Sequence, residues 1–318
     1  MAHVRAGTDL SPLQRSGGGF AMLAVDQREA MRNMFAEHTA EPVTDQDLQD
    51  FKVAAARILT PYASAVLVDK QFAFDAVVDQ HAVADGCGLI AAADHFESAN
   101  GELVGRVTID PQVVPARVKE QGAVALKLLV LWREDEPAGP RVSMVEQFVD
   151  LCRNTGLISI IEPVSRGRAD RRPSDTEAGV LAAARELGRL GADLYKAEVP
   201  LKGQGDQAEI RRRCAEITAA VDSPWVVLSS GVPQDLFPEA VRTAMSEGAN
   251  GFLAGRAVWA SCIGGGRRRA ATAGGRGAAP ADPGRDRRRT DGGAHMTTAV
   301  PPHLPTTADL LGIPVVEW

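Results

Sequence analysis

The chain has 318 residues, with 35 Lys and Arg against 41 Asp and Glu, a formal charge of −6, and 45% hydrophobic residues. That balance supplies enough apolar material for a large core and removes the global positive field on which nucleic-acid binding draws. The sequence has no apolar run near the roughly 18 residues of a membrane span and no apolar signal-peptide centre in its first 15 residues. Cys87, Cys152, Cys214 and Cys262 form neither a CxxC nor a disulfide framework. These features predict a cytoplasmic protein with no membrane and no nucleic-acid partner.

In chain order, a polar segment (1–14) comes first, followed by a body (15–263) that alternates two kinds of stretch. Short apolar runs lie at 19–26, 65–69, 88–94, 125–132, 158–164, 194–200, 224–231 and 251–259. They lack polar alternation and read as strands buried on both faces. Between them are amphipathic stretches such as 44–60, 141–154, 175–190, 206–221 and 235–247. Gly122, Gly156, Gly191 and Gly248 stand where left-handed helix caps are expected. Eight strands with seven intervening helices predict an α/β fold, a (β/α)8 TIM barrel, with a doubly wound open sheet as the rival. The count, and the polar residues at strand ends, favour the barrel.

Past Ser261 the pattern stops. Residues 265–295 hold eight Arg among Gly, Ala and Pro, with no apolar period. The eighth helix is therefore expected to be replaced by an aberrant tail (264–318). Out-of-frame reading of GC-rich DNA gives this composition, so a frameshift near Gly264 is one expectation and a natural disordered tail the other.

Charged residues mark the strand ends: Asp26, Asp69, Asp94 and Glu162, with Lys127 and Lys196 inside two strands. Barrel interiors are normally Val, Ile and Leu, and a buried Lys or Glu costs several kcal/mol unless paired. If the Lys127 and Lys196 faces point inward, two lysines and several carboxylates meet in one cavity. Burial and a neighbouring ammonium both favour a neutral amine, a nucleophile toward carbonyl carbon. Buried salt bridges are the alternative.

The seventh run ends Ser229-Ser230-Gly231 and the eighth carries Gly255-Arg256. Loops after strands seven and eight are the usual phosphate site of barrels, so these five residues are the expected phosphate binders. Of the histidines only His95 follows a strand end, and no His/Cys pair has ligand spacing, so neither metal nor cofactor is expected.

The segments SGGGFAMLAVDQREAMR (16–32), LTPYASAVLVDKQF (59–72), ALKLLVLWR (125–133), ISIIEPV (158–164), GADLYKAEVP (191–200), PWVVLSSGV (224–232) and GANGFLAGRAVWA (248–260) together resemble one class I aldolase family. The family includes tagatose 1,6-bisphosphate aldolases, and the likeness is nearest to its sulfofructosephosphate aldolase branch. The resemblance implies cleavage of 6-deoxy-6-sulfofructose 1-phosphate to dihydroxyacetone phosphate and 3-sulfolactaldehyde, as in sulfoquinovose breakdown. It implies Lys196 as Schiff-base lysine, Glu162 as proton shuttle, Asp26 and Lys127 as supporting groups, and a homo-oligomer. Lys127 would keep the Lys196 amine neutral by repulsion and bind a substrate hydroxyl; Gln27 and Arg28 would either cradle the sulfonate or begin a helix with Arg28 facing solvent. The alternatives are a tagatose 1,6-bisphosphate aldolase, another lysine aldolase of the deoxyribose-phosphate or autoinducer type, and a damaged, inactive barrel.

Overall fold

The computed structural model describes residues 7–99 and 101–263. The tail 264–318, with the frameshift and the lost eighth helix expected there, lies outside the described residues. The strands are β1 (Phe20–Ala24), β2 (Ala65–Asp69), β3 (Gly88–Ala92), β4 (Asp94–Ala99), β5 (Glu102–Ile109), β6 (Ala123–Trp132), β7 (Ile158–Ser165), β8 (Leu194–Ala197), β9 (Trp225–Val227) and β10 (Gly251–Ala254). The helices are α1 (Glu29–Ala36), α2 (Asp45–Leu59), α3 (Phe74–Asp79), α4 (Pro115–Glu120), α5 (Ala138–Thr155), α6 (Thr176–Leu187), α7 (Gln207–Ala220), α8 (Phe237–Ser246) and α9 (Arg256–Trp259).

Eight of the strands close a parallel barrel in the order β1-β10-β9-β8-β7-β6-β3-β2. Every residue of β2, β3, β7, β8 and β9 is buried, as apolar runs without alternation require. Helix starts follow local chemistry. Thr44 and Asp47 form a reciprocal capping box at α2, and Asp175 and Asp206 accept backbone N–H groups at the starts of α6 and α7. All four expected cap glycines have positive φ. Gly248 (φ +109°) has a second constraint, since a Cβ there would fall 2.7 Å from the Thr218 side chain.

Two apolar layers result. The outer one lies between strands and helices, around residues such as Val66, Leu126, Phe148, Ile161 and Phe237. The inner one fills the barrel with Phe20, Met22, Leu67, Ile90, Ile160, Leu194, Val226 and Leu253. Fully buried Leu13, from the turn Ser11–Leu13, joins this inner cluster. Ala125, Ile160 and Leu194 belong to the inner layer. A strand's period of two then carries Lys127, Glu162 and Lys196 to the same face, one layer nearer the carboxyl ends.

Two sequence expectations need correction. Asp94 does not end the third strand; that strand stops at Ala92, and Asp94 opens an antiparallel hairpin, β4 with β5. The eighth strand does not run to Trp259; β10 ends at Ala254, and Arg256–Trp259 forms one helical turn. The turn returns Trp259 to the barrel, where its indole Nε1 donates to Ala24 O of β1 at 2.9 Å. Among the described residues no helix is long and apolar enough to cross a membrane.

Candidate active site

The carboxyl ends of the strands open into a cavity of about 240 Å³ whose wall includes Asp26, Lys127, Glu162 and Lys196. Lys127 on β6 is fully buried inside a cage of carboxylates. Its ammonium lies 2.7 Å from Asp26, 2.7 Å from Asp94 and 3.1 Å from Glu162 Oε2. Burial alone would lower its pKa, but the three carboxylates outweigh burial and hold it well above the ordinary lysine value. Asp26 shows the complement. Burial pushes its carboxyl up, yet Lys127 first and then Lys196 pull it below the usual carboxylate range.

Lys196 on β8 has a different setting. Among the described residues its single ion-pair partner is Glu162, with Oε1 3.0 Å from its Nζ. Glu162 thus stands between the two lysines, one oxygen toward each. The two lysines therefore meet through Glu162. The group placed to exchange a proton with Lys196 is Glu162.

Asp94 extends the cage. Its Oδ1 accepts from Arg28 Nη2 at 2.7 Å, and its Oδ2 accepts from the Leu129 N–H at 3.0 Å as well as from Lys127. The Arg28 guanidinium also lies 4.2 Å from the centre of the Phe96 ring on the hairpin. Of the two sequence readings of Arg28, the solvent-facing one is corrected: the side chain is buried and lines the cavity, with its charge balanced by Asp94. Gln27 stands against Gly255, where a Cβ would fall 2.8 Å from its Nε2 and 2.7 Å from Ala24 O. Only glycine fits that approach.

Beside Gln27, after the neighbouring strand β10, Arg256 donates to Ser230 Oγ, and the Gly255 N–H donates to Ser229 Oγ at 3.3 Å. Ser229, Ser230, Gly255 and Arg256 all line the cavity. Gly231 does not; it makes a left-handed turn (φ +76°) whose missing Cβ leaves room for the Lys202 stem, 3.2 Å away. Burial, and then the nearby Arg166, lower the pKa of Arg256, while Glu162 and Asp26 act the other way.

Asp69, the other strand-end carboxylate, stays outside the site. It pairs with fully buried Lys52 of α2 and accepts from the Phe72 N–H at 2.8 Å. His95 is exposed on β4, and among the described residues no cluster of His, Cys, Asp or Glu is placed to hold a metal ion. Sequence reasoning missed Arg166, Gln71 and the hairpin residues Phe96, Ser98 and Leu103, all on the cavity wall. The hairpin had a signal in Asn100-Gly101, the dipeptide of tight hairpin turns. Arg166 follows the end of β7, a barrel position that generally bears function.

The architecture is that of a barrel enzyme, with its charged groups gathered at the carboxyl ends of parallel strands. An archaeal fructose 1,6-bisphosphate aldolase of known structure shares the fold, at a TM-score of 0.54 and 18% identity over 80% of this chain and 93% of that one. The DeoC/LacD family aldolase profile matches residues 20–261, and the chain belongs to this family of class I aldolases, which are lyases. Tagatose 1,6-diphosphate aldolase of Listeria monocytogenes is 28% identical over 283 residues, covering 80% of this chain and 81% of that protein. The enzyme of the same name from Staphylococcus haemolyticus is 27% identical over 284 residues, covering 80% and 85%.

Proposed function

We propose that this aldolase cleaves a ketohexose 1-phosphate bearing a second anion at C6, through a Schiff base on Lys196. The observation that carries the reading is the asymmetry of the two lysines. Lys127, held by three carboxylates, remains an ammonium and has no lone pair to give. Lys196 shares one carboxylate, at 3.0 Å, and faces the cavity.

The Lys196 amine adds to the C2 ketone, and loss of water leaves an iminium. Glu162 takes the C4 hydroxyl proton. The C3–C4 bond breaks, and its electron pair enters the iminium to give an enamine. The aldehyde fragment leaves with the former C4 oxygen as its carbonyl. Return of the proton to C3 and hydrolysis of the iminium release dihydroxyacetone phosphate and free Lys196. A positioned acid/base of this kind contributes about 10²–10⁴-fold. Lys127 and Asp26 hold Glu162 and the substrate hydroxyls in place, and Ser229, Ser230, Gly255 and Arg256 receive the C1 phosphate, with Gly231 shaping the turn beneath. Gln27 and Arg28 form the wall beside it.

The substrate we favour is 6-deoxy-6-sulfofructose 1-phosphate, supported by the likeness of the segments 23–32, 128–133 and 159–164 to that branch. Tagatose 1,6-bisphosphate is the second reading, supported by the names of the curated relatives. Borohydride reduction in the presence of dihydroxyacetone phosphate, read by peptide mass spectrometry, tests the mechanism. A secondary amine on Lys196 is the expected product; an adduct on Lys127 overturns the assignment. Cleavage rates on the two substrates decide between them, and faster cleavage of the tagatose compound would remove the first choice.

A further inference from the structure

We infer that Arg166 is the specificity-determining residue for the far end of the substrate, binding a tetrahedral oxyanion, phosphate or sulfonate, at C6. This rests on the reading above that the substrate is anionic at both ends.

A doubly anionic ligand needs two cationic stations, one on each side of the reacting carbon. Four cations besides Lys196 reach this cavity, namely Arg28, Lys127, Arg166 and Arg256. Two are neutralised within the protein: Lys127 by its three carboxylates and Arg28 by Asp94. Arg256 belongs to the corner with Ser230. That leaves Arg166. Among the described residues it has no carboxylate at ion-pair distance, and its guanidinium donates weakly, at 3.3 Å, to the carbonyl of its neighbour Ser165. Its backbone is anchored, with the N–H donating to Trp132 O of β6 at 2.9 Å. A half-buried guanidinium on a fixed root, facing a cavity with its fork unfilled, is suited to an oxyanion.

Its place around the barrel supports the assignment. The wall runs β10-β9-β8-β7, which carries Arg256 after β10, Ser229 and Ser230 after β9, Lys196 on β8 and Arg166 after β7. The attacking lysine therefore stands between the two free guanidiniums, as C2 stands between the two anions of the substrate. The two arginines are near enough that Arg166 lowers the pKa of Arg256. An anion at each of them relieves that repulsion. One guanidinium matches the single charge of a sulfonate more closely than the double charge of a phosphate.

The test uses C2-reduced ligands, which have no ketone and bind without forming a Schiff base. Titration calorimetry compares hexitol 1-phosphate, hexitol 1,6-bisphosphate and 6-deoxy-6-sulfohexitol 1-phosphate on wild type, Arg166→Gln and Arg166→Lys. The expected result is a loss of about 10- to 100-fold in Arg166→Gln for the two ligands charged at C6, the size of a charge-assisted hydrogen-bonded contact. Hexitol 1-phosphate should change by less than about twofold, and Arg166→Lys should recover part of the loss. A smaller loss for the bisphosphate than for the sulfonate favours the sulfonate as the natural group; the reverse favours phosphate. Equal weakening of all three ligands, no weakening of any, or a wild type that binds hexitol 1-phosphate as tightly as the two ligands charged at C6 overturns the inference. If Lys196 traps no adduct while this pattern holds, the proposed reaction falls and the anion site stands.

Discussion

Replacing Lys127 by Met removes the positive charge from a cage of three carboxylates and keeps most of the side-chain volume. Each contact, at 2.7–3.1 Å, is worth about 6 kcal/mol gross at an effective dielectric near 20. Much of that is returned as the cost of burying the ions. Breaking a buried pair from one side typically costs about 3–5 kcal/mol, and here the orphaned charges also repel one another. Lys127→Met should therefore lower stability by at least about 3 kcal/mol at pH 7.5. Lys196→Met should cost no more than about 2 kcal/mol, because Glu162 keeps Lys127 as partner. The sign with pH follows from the cage. Without the ammonium, the folded-state pKa values of the carboxylates rise above their unfolded values. Stabilisation from such groups is present at low pH and lost as pH rises through the folded pKa. The deficit of Lys127→Met should thus shrink between pH 7.5 and 5.5. Urea-unfolding midpoints of the three proteins at both pH values measure this. Equal midpoints for Lys127→Met and wild type, or a deficit that does not move with pH, would refute the view that Lys127 holds the site together.

Lys52→Met should cost about 3–5 kcal/mol, since it leaves fully buried Asp69 without its ion partner; the double variant Lys52→Met/Asp69→Leu should regain part of this, and a thermal-melt comparison in which the double is worse than the single would contradict it. Burial pushes the Glu198 carboxyl up from 4.5 to about 7, against the pull of the Ser165 N–H and Arg166. Its stabilisation is then present below about pH 4.5 and lost as pH rises through about 7. Wild type should lose about 1–3 kcal/mol relative to Glu198→Gln between pH 5 and 8, and a difference independent of pH in denaturant titrations would count against this.

The barrel was legible because its signals are local and repeated. Eight apolar runs had the length of buried strands, and the left-handed glycines at 122, 156, 191 and 248 marked helix ends. Parity put Lys127 on one face with Ala125 and Lys196 on one face with Leu194, and the place of those two neighbours in the inner layer makes the faces inward. Pairing was not legible, because which carboxylate meets which ammonium depends on strands distant in sequence. Asp26, Asp94 and Glu162 lie on three separate segments yet meet one Nζ. Asp69, equivalent to Asp26 by position, instead meets Lys52 from the outer helix layer. The hairpin of β4 and β5 was missed for another reason. Apart from Asp94 and Val107 its residues are exposed or half-buried, and the segment carries no continuous apolar run of the kind a strand buried on both faces has.

The distribution of partners divides the cations of this barrel into two groups with different work. Lys52, Lys127 and Arg28 are each matched to buried carboxylates and hold helix, strand and hairpin to one another. Arg166 and Arg256 have no carboxylate at ion-pair distance among the described residues, and Lys196 shares the one that Lys127 also uses. Of the first group only Lys52 lies away from the cavity; Arg28 and Lys127 line it with their charges already balanced, beside Lys196, Arg166 and Arg256. Affinity for an anionic sugar must come from the second group, because a charge already neutralised in low dielectric has little field left to offer. The chain as a whole is negative, at −6. The doubly anionic substrate proposed above would therefore be drawn by local positive charge near Lys196, at the ends of β7 and β10, and a substitution that unpairs Arg28 or Lys127 would alter that field as surely as one that removes Arg256.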